Sequence, residues 1–169
     1  MFTEREVVLQ IAHGDPRGLP GLTERHGALL REASLRFFGA AGEEQSVELQ
    51  HVLRTLVAEL RAGAFDDLAE TFYDWVARRT FCACMVLRQE RAGGEHLEPD
   101  LLHACSDAIL EASLPAETRS RCRAHLAECA LCRELRQSCT DVPVAVRHAG
   151  ARFPGEFQLV LQRAAAGCT

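Results

Sequence analysis

The sequence predicts an all-α protein. A four-helix bundle should occupy residues 1–92, followed over residues 93–169 by a helical hairpin and a short C-terminal tail helix. Three observations predict it. Apolar residues recur at helical spacing along most of the chain, and no stretch alternates as a strand would. Glycines close the periodic runs, and Gly93-Gly94 interrupts the pattern as a domain boundary. Beyond that break, His125-Leu126-Ala127-Glu128-Cys129-Ala130-Leu131-Cys132 reads H-x3-C-x2-C.

The first helix runs from Glu4 to His13, with Val7, Val8 and Ile11 on one face and Gly14 as its stop. Asp15 is placed to cap a second helix with Pro16 at its first position. That helix carries Leu19, Leu22, His26, Leu29, Leu30, Ala33, Phe37 and Phe38 and ends at Gly39. Pro20 and Gly21 are tolerable only because they fall in its first turns. A third helix spans Ser46 to Arg61, with Val47, Leu49, Val52, Leu53, Leu56, Val57 and Leu60 inside and Gly63 as its end. A fourth opens at Phe65-Asp66-Asp67 and continues to about Arg91, striped by Phe72, Trp75, Val76, Ala83, Val86 and Leu87. After the break, one helix runs to Ala112, and Leu114-Pro115 turns the chain into the helix bearing His125. That helix continues to Cys139. Asp141 to Arg152, with Pro143 and Gly150, reads as linker. Phe153-Pro154-Gly155 opens the tail helix, with Phe157, Val160, Leu161 and Ala164 on one face and Cys168 a bystander at its end.

Residues three and four apart on a helix share a face, so His125, Cys129 and Cys132 point the same way from successive turns. One imidazole and two thiolates suit tetrahedral zinc, which then lacks one ligand. Eight cysteines in a chain with no apolar signal core near its N-terminus favour metal or redox chemistry over a disulfide framework. No apolar run approaches the ~18 residues of a membrane span. The expectation is a cytoplasmic protein without membrane association.

The formal charge is −5, and all 19 basic residues are arginine. Neither half is basic, whereas nucleic-acid binding demands a basic face, so any contact with DNA must be local. An enzyme is not expected. No glycine loop cradles phosphate, Glu128 within the metal motif reads as solvated, and the carboxylates of Asp66, Asp67, Glu70 and Asp74 read as a solvated helix face.

Several stretches keep a familiar order and spacing: Ala12-His13-Gly14-Asp15-Pro16, Leu22-Thr23-Glu24-Arg25-His26-Gly27, Phe65-Asp66, Thr71-Phe72 and Trp75-Val76-Ala77-Arg78. Over residues 4–91 the chain resembles region 2 of extracytoplasmic-function sigma factors. The resemblance implies docking on the β′ subunit of core RNA polymerase through Gln50 and Leu53. It also implies promoter DNA contacts from Trp75, Arg78, Arg79 and Arg88. The chain departs from the family where Val47 replaces an aspartate, Cys82 an asparagine and Val86 an aspartate, and where the basic run shrinks to Arg88 and Arg91.

Leu114 to Cys132 is similar to the finger of zinc-binding anti-sigma factors, whose pattern continues H-L-x-x-C-x-x-C. That resemblance implies a fourth ligand upstream. His96 precedes His125 by 29 residues in an H-L-x-P context like the family's, and is the first choice. Cys105, 20 residues before His125, is the second. Cys122, one turn before His125, is a further alternative, and His103 a weaker one.

Together the two resemblances imply a sigma-related transcription regulator whose zinc hairpin masks or structurally replaces the usual second half. Zinc thiolates near spare cysteines also leave room for redox sensitivity. The alternative is a zinc-stabilised adaptor that binds a sigma factor, an anti-sigma factor or its own copy, without DNA. Oligomeric state is not legible in the sequence.

Overall fold

The structure is a computed structural model that describes residues 3–39, 43–66, 68–149 and 155–168. Among these residues the chain is all-α, with helices α1 Glu4–Ala12, α2 Gly18–Phe38, α3 Glu43–Arg61, α4 Phe72–Ala92, α5 Pro99–Ala104, α6 Ala108–Ser113, α7 Ala116–Glu128, α8 Ala130–Ala149 and α9 Gly155–Ala166. No helix among them is long and apolar enough to cross a membrane.

Local chemistry fixes the starts. The Thr3 hydroxyl accepts from the Glu6 amide while the Glu6 carboxylate accepts from the Thr3 amide at 2.6 Å, a reciprocal capping box for α1. α2 begins at Gly18 rather than at Pro16. Asp15 spends its carboxylate on the Arg17 amide and guanidinium, and Gly18 lies so close to α1 that a Cβ would fall 2.7 Å from the Ile11 side chain. Pro20 therefore sits in the first turn, where its missing N–H has no helical partner to lose. α4 begins at Phe72, seven residues later than its apolar pattern suggests. Thr71 caps it, accepting from the Asp74 amide at 3.1 Å. Phe65 precedes it as loop and packs edge-on against Phe72 and Trp75.

The C-terminal half differs more from expectation. The first hairpin helix is broken into α5 and α6, because Asp107 turns its carboxylate onto the Ile109 and Leu110 amides and starts a new helix. The expected linker from Asp141 is instead the second half of α8, with Pro143 inside it. A helix-interior proline costs about 3 kcal/mol. Here Cys132, Leu135, Cys139 and Val142 form one buried stripe, and burying such side chains contributes roughly 1.5–3 kcal/mol for each large one. The stripe outweighs the proline. Residues 150–152 of that segment lie outside the described residues, as does the start of the tail helix at Phe153-Pro154.

One continuous core spans both halves. Leu22, Leu30, Phe37, Leu56, Trp75 and Met85 from the first half join Leu102, Leu135, Val142 and Leu161 from the second. α8 packs chiefly on α2, and α9 on α3. Gly93 and Gly94, at φ 65° and 91°, make the turn between packed segments.

Candidate metal centre

Three pieces of chain converge on the site. His96 leaves the glycine turn after α4, His125 closes α7, and Cys129 and Cys132 straddle the start of α8. The expected continuous helix is interrupted here. Cys129 is extended, at φ −89° and ψ 107°, and ends α7, while Ala130 begins α8. The interruption swings Cys129 to a position where it meets both histidines.

One donor atom from each of His96, His125, Cys129 and Cys132 lies within 4.8 Å of all the others. His125 Nε2 is 3.3 Å from Cys132 Sγ, and His96 Nδ1 is 3.5 Å from Cys129 Sγ and 3.8 Å from Cys132 Sγ. Zinc at about 2.05 Å from nitrogen and 2.3 Å from sulfur sets tetrahedral N···S separations of about 3.5 Å. The group could hold a metal ion, with dimensions consistent with zinc.

The surroundings support metal ligation. His96 Nε2 lies 2.9 Å from the Gly93 carbonyl, which fixes the tautomer that turns Nδ1 inward. The Cys132 amide points at Cys129 Sγ at 3.5 Å, and the Leu97 amide at Cys132. Burial disfavours the Cys129 thiolate, but the Cys132 amide, His96, Cys132 and His125 outweigh it and bring the thiol down to about 6. Burial holds the Cys132 thiol up. A first thiolate therefore forms near neutral pH, and a metal ion held here would favour the second.

His96 thus joins the three motif residues, and the two rival ligands lie elsewhere. Cys105 and Cys122 are buried against each other, with burial and the Cys122 thiol pushing Cys105 up to about 12. Cys82, Cys84 and Cys139 are buried thiols between the halves, also pushed up by burial. His103 packs on Phe81.

The residues implied for polymerase and DNA fall differently. Leu53 is completely buried in the core and presents no contact surface. Gln50 lies under the end of α9, where Arg54 donates to the Gly167 carbonyl at 2.7 Å and a Cβ on Gly167 would overlap the Gln50 amide. Trp75 is 1% exposed and stacks on Phe72 at 6.1 Å, so no face is left for a base. Arg78 pairs with Glu70 at 2.5 Å, and Arg79 with Glu59 at 2.5 Å. Asp100 of α5 reaches both arginines, at 3.3 and 3.2 Å. Arg88 donates to the Phe37 carbonyl and to Glu134 of α8, the latter at 2.7 Å. Sequence reasoning missed Asp100 and Glu134, since a carboxylate's partner across the fold leaves no local signal. It missed the Gly93 carbonyl too, having read Gly93-Gly94 only as a break.

Comparison of the chain with protein-family models, with curated proteins and with solved structures finds no match.

Proposed function

We propose that the ion is zinc and that the chain is a sigma-related transcription regulator held closed by its own second half. Support for zinc comes from the two-His, two-Cys donor set and its tetrahedral spacing. The sigma reading rests on the resemblance over residues 4–91 and on the anti-sigma-like finger.

One observation carries the closed state. The C-terminal half supplies carboxylates to each arginine of α4 that the resemblance assigns to promoter DNA: Asp100 to Arg78 and Arg79, and Glu134 to Arg88. Phosphates would have to compete with carboxylates already in place. The core shared by both halves supports reading the second half as a structural replacement rather than a loosely tethered mask.

The test compares the zinc-loaded full chain with the Asp100→Ala/Glu134→Ala variant, using core RNA polymerase and single-stranded promoter DNA. The closed-regulator reading predicts that the variant gains binding that weakens with salt, while the parent binds neither tightly. The adaptor reading is favoured by the burial of Trp75 and Leu53. It predicts that neither form binds polymerase or DNA.

A further inference from the structure

A wide cavity lies away from the candidate metal residues and borders the α4–carboxylate network at Glu70 and Arg78. It encloses about 1040 Å³ between α2, the loop before α4, α4 itself, the α5–α6 elbow and α8. Its mouth is unusual. α6 buries none of its own side chains, and Ile109 and Leu110 stand 81% and 41% exposed at the cavity edge. Ile109, with most of its side chain in solvent, contributes little burial to the free chain. Ile109 and Leu110 become useful if the cavity is filled, because an apolar body there would bury them together with Tyr73 and Pro143 across the opening.

The charges at the cavity restrict the occupant. Arg78 is spent on Glu70 and Asp100. Asp74 accepts from Thr71, and Asp107 from the Ile109 and Leu110 amides; each keeps acceptor capacity, and among the described residues neither forms an ion pair. Arg147, next to Tyr73, is a second guanidinium at the wall, and the carboxylates of Glu70, Asp74 and Asp107 outnumber the two. Tyr73 is 40% exposed and offers a ring face, to which a cation is attracted.

The geometry points to a binding site for a small apolar, aromatic cation in this cavity, covered by α6. The volume suits one drug-sized molecule. The apolar floor and α6 would hold its body, and Tyr73, Asp74 and Asp107 its charge. The inference does not depend on the regulatory reading, since it uses no polymerase or DNA contact.

The test uses two probes of the same shape and opposite charge, tetraphenylphosphonium and tetraphenylborate, titrated calorimetrically into the zinc-loaded full chain. The cation should bind at one per chain with Kd on the order of 10 µM, and the anion at least about tenfold more weakly. Ile109→Ser, at an exposed position, should leave the thermal midpoint unchanged and weaken the cation by about tenfold. Asp74→Asn retains the hydrogen bond with Thr71 and should narrow the gap between cation and anion. Absence of cation binding, equal binding of both ions, or cation binding indifferent to Ile109→Ser would each overturn the assignment.

Discussion

Asp100 Oδ1 stands 3.2 Å from Arg79 Nη1 and 3.6 Å from the Cys82 thiol, so one carboxylate from the second half faces both a guanidinium and a sulfur of α4. Burial first, and then Asp100, push Cys82 up to about 12, against the pull of Arg79. Native Cys82 should therefore label slowly with a thiol reagent at neutral pH. Asp100→Ala removes one of the two opposing influences and should raise the labelling rate at Cys82 a few-fold, since each pKa unit is tenfold in thiolate. Peptide mapping of the labelled chain reads this out, and an unchanged rate would mean that burial alone protects the sulfur.

His26 sets a pH dependence. Both of its ring nitrogens are buried without a hydrogen-bond partner, and its ring meets Phe72 edge-on at 5.4 Å. Burial, with a smaller contribution from Arg25, lowers it from 6.5 to about 4. Above pH 6.5 neither state binds the proton and stability is full. Between 6.5 and 4 only the unfolded chain is protonated, so stability falls with pH, by about 3 kcal/mol in all. Burial lowers His103 in the same direction. His26→Phe should flatten the acid limb of denaturant midpoints against pH, relative to the parent.

Trp75 is the sole tryptophan, and its burial makes it an internal reporter. Its emission should be that of an apolar environment, resist quenching by iodide, and stay unchanged when promoter DNA is added. Trp75→Ala should cost about 3–5 kcal/mol of stability, the usual range for an aromatic deleted from a packed core.

The last residues of α9 close over α3. Gly167 leaves no room for a side chain beside Gln50, and Cys168 Sγ lies 3.6 Å from the Gln50 carbonyl, so this thiol is a contact rather than a bystander. Gly167→Leu should push α9 outward and cost about 1 kcal/mol, toward the low end for overpacking at a partly exposed site. Faster tryptic cleavage after Arg163 would report it; an unchanged rate would show that the Gln50 side chain yields freely.

Helical spacing made the all-α class and most helix interiors legible, because apolar positions in α2, α3 and α4 repeat at 3.6 residues whatever they pack against. Val47, expected inside α3, is instead 65% exposed. The misplaced boundaries have two causes. Asp15, Thr71 and Asp107 bond amides two or three residues on, and periodicity alone does not say which of several such turn residues will cap. Pro143 is overridden by the buried stripe of α8. At the metal centre the motif His125, Cys129, Cys132 was plain in the sequence, and His96 was placed by its interval and context. The elbow at Cys129 was not, since H-x3-C-x2-C reads equally well as one helical face. The ion pairs from Asp100 and Glu134 were invisible because opposite charges far apart in sequence carry no pattern.

Cobalt substitution tests the four-ligand centre most directly. The purified chain should take up one cobalt ion, with the intense visible bands of a tetrahedral site and a thiolate charge-transfer band for two sulfurs. His96→Ala should alter those bands and weaken the metal by about 10–100-fold or more, while Cys105→Ala and Cys122→Ala leave them unchanged. Retention of the parent spectrum in His96→Ala, with its loss in Cys105→Ala or Cys122→Ala, would contradict the centre described here.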